Sequence, residues 1–546
     1  MGVPLLRAAL AAVLLAGCAS GGGTAGSGAA EGGRHPWTVP HVLRYATGED
    51  VAGLNPHLYA QVTASLMNSN TMAWLVKYDH NNRPVPELAT VVPTQANGGV
   101  SRDGKTITYH LRRNAKWSDG VPFTAEDVAF SIATVRNPAN NELTHSGFEY
   151  ITAVRTPDPY TVVIRLNRPY SGFYVNFFSS AGGNPCVLPK HILGGLKTIN
   201  DAPYNTLPIG IGPFKYASWK RADNITLVPD PLYFGRKPKL QKVIFKIIPD
   251  RNTVLTQLST HEIDLWLPVP AAYSDRISTL GDVKVLKQSS YLYNHFDFEL
   301  EHPVVGDLAV RQALRLAMDR ATILQKIRHG VGILQETPFG PGNPLAIDVP
   351  RIPFDLQAAN DTLERAGWKR GPDGVRVKNG RRLEFTIAIG TGLPDTDAIV
   401  EQLRLSWGRI GARFEVKHYP SPLYFGAYAA GGILYAGKFD VAFYAWLTSP
   451  NGDLSNILGC DRFPPKGQNV PRWCDRAADA AMRRQLATYD PKAQLAASRI
   501  VQESIVRDVP TIVTDVREDL FAYNDDLKNF HPNQVTPFDN LVDLDI

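Results

Sequence analysis

From Val42 onward, short stretches in which apolar and polar residues alternate are interleaved with stretches whose apolar residues recur at helical spacing. A period of two marks a strand with one buried face and a period near 3.6 an amphipathic helix, and their interleaving is the pattern of an α/β protein. Residues 106–111 (TITYHL) alternate as a strand, and Thr124 then caps a helix whose third position is Asp127, a variant of the capping box. Ile399, Leu403, Ser406 and Ile410 share one helical face and residues 414–417 alternate directly afterwards, so a helix feeding a strand is expected there. Another helix is expected from Pro491, capped by Asp490, carrying Leu495, Val501 and Ile505 and stopped by Pro510. Residues 419–437 are uncharged but contain Pro420, Pro422, Gly426, Gly431 and Gly432, which reads as an aromatic, glycine-rich loop with room for one short helix.

The N-terminus departs from this pattern. Arg7 is followed by the apolar run 8–16 and then by Gly17 and Cys18, a segment too short to span a bilayer and of the kind that directs export. Residues 15–18 (LAGC) resemble the lipobox of bacterial lipoproteins, in which the cysteine is diacylated and becomes the new N-terminus. Cleavage there leaves 529 residues with a formal charge of +4. Residues 19–33 (ASGGGTAGSGAAEGG) cannot bury a core and are expected to act as a tether reaching about 20 Å on average.

Composition narrows the field. The 546 residues suffice for three or four compact units. The hydrophobic share of 44% argues against disorder, and 57 Lys and Arg against 52 Asp and Glu give a mixed-sign surface that does not suit a dedicated nucleic-acid binder. Beyond Cys18 there are three cysteines; Cys460 and Cys474 can close a local disulfide loop in an oxidising compartment, which leaves Cys186 unpaired. No CxxC pair or neighbouring histidine supports a metal, and no cofactor or metal is expected.

Signatures of catalysis are missing or fail on context. Residues 99–106 (GVSRDGKT) fit the phosphate-loop expression letter for letter. That chemistry requires a helix beginning at the Lys-Thr so that its amides face the phosphate; here a strand follows, and the segment reads as a hairpin turn about Asp103 and Gly104. HExxH, GxSxG and paired histidines at i, i+4 do not occur. An enzyme is not expected.

Residues 109–128 (YHLRRNAKWSDGVPFTAEDV) closely resemble the signature of the family 5 extracellular solute-binding proteins, the oligopeptide, dipeptide and nickel receptors of ABC importers. Residues 212–215 with Trp219 and 230–235, residues 310–314 with 317–320, and residues 438–442 running into Trp446 are similar to further family segments. Within the signature, Trp117, Asp119, Gly120 and Pro122 are read as a turn with core packing, not as ligand contacts.

The resemblance implies a two-lobe fold of the periplasmic-binding-protein type (type II, cluster C) with a subdomain inserted in the first lobe. The segments are placed at 1–17 (signal peptide), 18–36 (lipidated Cys18 and tether), 37–74, 207–290 and 509–546 (first lobe), 75–206 (insert) and 291–508 (second lobe). It also implies partners: a solute, ABC permease subunits and the membrane through the lipid, with the protein held on the extracytoplasmic face. Ligand contacts are expected from Tyr59, Ala60, Gln61 and Val62 in one wall and from Trp266, Leu267, Phe443, Tyr444 and Trp446 as an aromatic lining. In peptide receptors of the family an Asp three residues after the cleft Trp takes the peptide's ammonium; here that position is Ser449, with Asp453 four residues further on. The expected solute is therefore a peptide or peptide-like molecule, apolar or terminally blocked, with a nickel chelate, an oligosaccharide or haem as alternatives and an exported enzyme on this scaffold as the competing class.

Overall fold

The structure is a computed structural model describing residues 33–59, 61–181, 185–535 and 537–546. The signal segment, Cys18 and most of the tether lie outside the described residues, as does Ala60. The chain divides into two compact units, Met1–Thr38 and Val39–Ile546. In the first, residues 33–38 make a turn closed by the Thr38 amide donating to the His35 carbonyl (3.1 Å). The second unit holds all the strands and helices described below.

Ten strands build its main sheet: β1 (Val42–Thr47), β2 (Phe214–Lys220), β3 (Asn224–Pro229), β4 (Lys242–Ile247), β5 (Leu265–Trp266), β6 (Val283–Phe298), β7 (Glu384–Gly390), β8 (Arg413–Tyr419), β9 (Val441–Leu447) and β10 (Thr511–Asn524). Their spatial order is β8-β7-β9-β6-β10-β5-β1-β4-β3-β2. β6 and β10 have 16 and 14 residues, well beyond the usual ~5–6. That length lets one antiparallel pair serve both lobes. Val283–Ser289 pairs with the far half of β10 beside β5, whereas Tyr293–Asp297 pairs with the near half beside β9, with a register break between. Residues 511–516, assigned above to the first lobe, therefore run alongside second-lobe strands before the chain crosses.

Each lobe buries its own core. In the first, Leu43, Tyr45, Phe214, Phe245, Phe521 and Phe538 pack together. In the second, Phe296, Phe385, Ile387 and Phe414 do so against Trp407 of the helix Pro394–Arg409, the helix expected to feed β8. The insert has a third core around Tyr109, Trp117, Phe123, Val128 and Phe173. Trp117 belongs to that core and to a turn in which its amide donates to Val121 O (2.9 Å), while Gly120 adopts the positive φ of 97° that the turn requires. Asp127 Oδ2 accepts the Thr124 amide (2.9 Å) at the start of Ala125–Arg136, as the capping box predicts.

The apparent phosphate loop is a hairpin turn: Ser101 N donates to Thr106 O (2.9 Å), Gly104 sits at φ +68°, and strand Thr106–His110 follows. Without a helix start there, its amides have no phosphate-facing role. Pro491–Asp508 is the expected helix, with Asp490 accepting from the Lys492 and Ala493 amides. No helix among the described residues is long and apolar enough to cross a membrane.

Cys460 and Cys474 form a disulfide across 14 residues, and Cys186 is a buried free thiol. The loop lies beside the cluster of Leu458, Trp473 and Met482. Replacing both cysteines by Ser is expected to reduce stability by about 3 kcal/mol, from the loop entropy returned to the unfolded chain; urea unfolding of the double variant checks this.

Candidate functional site

Strand direction fixes where a site can form. β1, β4 and β5 are parallel and point their carboxyl ends at the crossing of β6 and β10; β7, β8 and β9 are parallel and point theirs at the same crossing from the other lobe. Ligands of open α/β sheets bind outside carboxyl strand ends, and here two such sets face each other.

Between them lies a cavity of about 380 Å³, at the small end of the ~300–1,000 Å³ range of ligand sites. The first lobe lines it with Pro268, Val269 and Ala271, which follow β5, and the second with Leu393, Thr396, Phe425 and Ala445, which follow or end its strands. A smaller cavity of about 130 Å³ continues at the end of β9, between Tyr291, Ser449, Gln534 and Asn176 of the insert. The Tyr291 hydroxyl there is buried with no hydrogen-bond partner among the described residues. A larger groove of about 690 Å³ around Lys77, Tyr233 and Asp539 lies between the insert and the first lobe.

β9 presents an open edge to the main cavity. Its neighbour β7 pairs with it only through Val441 and Ala442. Thr448 N donates to Tyr291 O of β6 (2.9 Å), so with strand alternation the amides and carbonyls of Phe443, Ala445 and Leu447 face away from β6. The Phe443 carbonyl is taken by the Tyr424 hydroxyl (3.0 Å). Ala445 and Leu447, the latter 50% exposed, keep main-chain groups directed at the cleft.

Of the aromatic lining expected from the sequence, Phe443 and Tyr444 border the main cavity, whereas Trp266, Leu267 and Trp446 do not. Trp266 is buried against Val254, Leu258 and Tyr273, and Leu267 sits in the core on the opposite face of the sheet. The reason is that successive side chains leave this strand on opposite faces of the sheet, and each face carries a core. Phe443 packs on Phe296 (4.5 Å between centroids) in the second-lobe core, although its backbone borders the cavity. Tyr444 borders the cavity while most of its ring is buried, edge-on to His295 and hydrogen-bonded to Asp297. Trp446 is half-buried over Tyr293, Val513 and Val516.

The wall at Tyr59–Val62 also differs from expectation. The Tyr59 ring lies on Gly53, where a Cβ would come within 2.1 Å of it. Gln61 folds back, accepting the Ala52 amide (2.6 Å) and donating to Asp50 O (3.3 Å). Val62 opens helix Val62–Thr71 and is 64% exposed. None of the three lines either cavity of the cleft.

Ser449 reaches the small cavity, its hydroxyl 2.5 Å from Asn451 Oδ1 and accepting the Asp453 amide (3.2 Å). The Asp453 carboxylate accepts from Ser455 N (2.8 Å), and burial raises its pKa above the ordinary value.

What the sequence reading missed is charge. Arg328, Asp395, Asp515, Arg517 and Asp519 all line the main cavity. Asp515 accepts from Asn294 Nδ2 (2.7 Å) and from Thr514 Oγ1 (2.9 Å), and burial raises the pKa of Asp519 against the lowering effect of Arg517. The cluster of charges at 515 and 517–519, flanked by apolar residues on the same strand, was the available signal.

Comparison with known proteins agrees with this architecture. The chain is 27% identical over 463 residues to the oligopeptide-binding protein AppA of Bacillus subtilis, covering 83% of this chain and 82% of that protein. It superposes on the structure of AppA from Bacillus subtilis in complex with a nonapeptide with a TM-score of 0.75 (23% identity, 92% of this chain and 98% of that one). NikZ from Campylobacter jejuni in complex with Ni(L-His) gives a TM-score of 0.77 (24% identity, 93% and 99%). Residues 83–463 match the middle region of a family of receptors that bind solutes and are not enzymes, and the chain belongs to the bacterial extracellular solute-binding proteins, family 5.

Proposed function

We propose that the protein is an exported lipoprotein, anchored through Cys18, that captures peptides or peptide-like solutes between its lobes and delivers them to an ABC importer. The observation that carries the peptide reading is the open edge of β9. An extended peptide can add to it as a further strand, taking the main-chain groups of Ala445 and Leu447 whatever its side chains. Contacts made to both lobes at once favour the closed form, which a permease can distinguish from the empty one. The similarity to oligopeptide-binding AppA supports the same solute class.

The test is thermal stabilisation of residues 34–546 by peptide libraries of two to eight residues, run beside nickel-histidine, oligosaccharide and haem. Stabilisation by peptides alone supports the reading; stabilisation by one of the others alone overturns it. Ala445→Pro removes an amide that faces the cleft and not β6, so it is expected to weaken peptide binding about tenfold, the value of one hydrogen bond, with a far smaller loss for a ligand held by side chains. Membrane attachment is tested separately by Cys18→Ala, which is expected to release the protein in soluble form.

A further inference from the structure

We propose that a clasp outside the cleft, made by Ser171 and the Gly104 turn of the insert with Tyr489 of the second lobe, keeps part of the empty protein closed and thereby sets its affinity for any solute. The inference depends on capture between the lobes and not on the solute being a peptide.

Two parts of the insert meet the connection between the second-lobe helices Arg476–Ala487 and Pro491–Asp508. The last carbonyls of a helix have no partner within it, and those of Gln485 and Leu486 are taken by Ser171. Its amide donates to Leu486 O (2.7 Å), and its hydroxyl lies 3.2 Å from both carbonyl oxygens. Gln494 Nε2 donates to the same hydroxyl (3.1 Å), and Ser171 is buried. Three residues beyond Leu486, the Tyr489 ring packs on the insert's core, its centroid 6.1 Å from that of Phe173 and 6.3 Å from that of Tyr174. Its hydroxyl donates to Gly104 O (3.0 Å) and accepts the Tyr170 amide (3.3 Å). A Cβ at position 104 would stand 2.7 Å from this ring. The turn that imitates a phosphate loop is thus the seat of Tyr489, and glycine serves there both the positive φ and the approach of the ring.

The insert itself is fixed to the first lobe. His57 and Glu142 form a buried pair, Asn55 Nδ2 donates to Asn205 Oδ1 (2.8 Å), and Leu54 N donates to Asn205 O (2.9 Å). When the lobes separate the insert stays with the first, and the clasp must open. It also adjoins the cleft. Gln485 Nε2 donates to the Asn451 and Gly452 carbonyls (3.0 and 3.1 Å), and Asn451 Oδ1 lies 2.5 Å from the Ser449 hydroxyl. Ser449 and Asn176 of the insert line the smaller cavity together, so that cavity exists only while the insert meets the second lobe. A contact made in the closed form alone raises its population, and apparent affinity rises with the competent fraction.

The experiment is small-angle X-ray scattering of dialysed residues 34–546 without solute, with calorimetric affinities for trialanine and nickel-histidine, on the wild type, Tyr489→Ala, Tyr489→Phe and Ser171→Ala. The empty Tyr489→Ala protein is expected to have a larger radius of gyration than the empty wild type. Any solute that binds should bind it about tenfold more weakly, by the same factor for each, because the clasp lies outside the cavity. Tyr489→Phe, which keeps the ring and loses the hydroxyl, and Ser171→Ala should move both readings the same way, with affinity about threefold weaker. They carry the decision if Tyr489→Ala does not fold. A residue that only supports the fold would lower the unfolding midpoint and leave the radius of the empty protein unchanged. Equal radii for the empty wild type and all folded variants overturn the inference, as does an affinity that none of the substitutions changes. If trialanine does not bind while the radii differ as expected, the clasp stands and the peptide reading is left to the libraries.

Discussion

Glu142→Gln is expected to lower the unfolding free energy by about 3–5 kcal/mol, the cost of stripping a buried ion of its partner. Glu142 and His57 are both fully buried, with His57 Nδ1 3.0 Å from the Glu142 carboxylate and Nε2 donating to the Cys186 carbonyl (2.8 Å). Both ring nitrogens are thus donors and the imidazole is held as the cation. Burial by itself would lower its pKa, but the Glu142 carboxylate and the two hydrogen bonds outweigh it and raise the value to about 10. A group whose folded pKa is raised stabilises in full below its unfolded pKa, about 6.5. The contribution is then lost as pH climbs to the folded value. Wild-type stability should therefore fall by several kcal/mol between pH 6.5 and 10, at about 1.4 kcal/mol per tenfold change in proton affinity. His57→Gln should be weaker at pH 6.5 and nearly flat over the same window. Urea midpoints at pH 6.5, 8 and 9.5 decide the matter, and parallel curves for the two proteins would sink it. The pair joins the turn after β1 to the insert, where Leu143 N also donates to His57 O (3.1 Å), so peptide affinity is expected to fall together with stability.

The features legible in the sequence are those whose cause is local. Thr124 and Asp127 are three residues apart and satisfy each other whatever surrounds them, and Asp103-Gly104 makes its turn because glycine accepts the positive φ. The cleft is not local. Trp266 and Leu267 look like a lining when read in line with Pro268, but β5 is enclosed by β1 and β10, and successive side chains pass to different cores. The charged run 515–519 reads as a solvated strand segment, and only the pairing of β10 with β6 shows that it borders the cavity between the two lobes. Arg328 carries no motif; it follows the one-turn wide helix Ile323–Ile327, whose end directs it toward Asp515. The charged lining of this cavity brings together residues more than 180 apart in sequence, Arg328 and Asp515 among them, which no window along the chain can hold.

Asp297→Ala is expected to cost about 3–5 kcal/mol and to impair solute binding, although Asp297 does not line the cleft. Its carboxylate is buried on β6 and accepts from the Tyr444 hydroxyl of β9, and its Oδ1 lies 2.9 Å from His295 Nδ1, which is also 3.1 Å from Thr511 Oγ1 of β10. One side chain thus ties together the three strands that carry the open edge, the crossing and the charged face. Removing it leaves two buried polar partners unsatisfied, each worth about 1–3 kcal/mol, and His295 Nε2 has no hydrogen-bond partner among the described residues. Tyr444 then loses its anchor directly beside Ala445, whose amide is to meet the peptide backbone. Asp297→Asn retains the shape and one acceptor and should lose about half as much. Chemical unfolding of both variants, read with the affinity for trialanine, separates the cases. A loss for Ala no greater than for Asn would mean that the carboxylate does not organise these strands, and unchanged affinity in a destabilised Ala variant would mean that the open edge of β9 is fixed by its pairing with β6 alone.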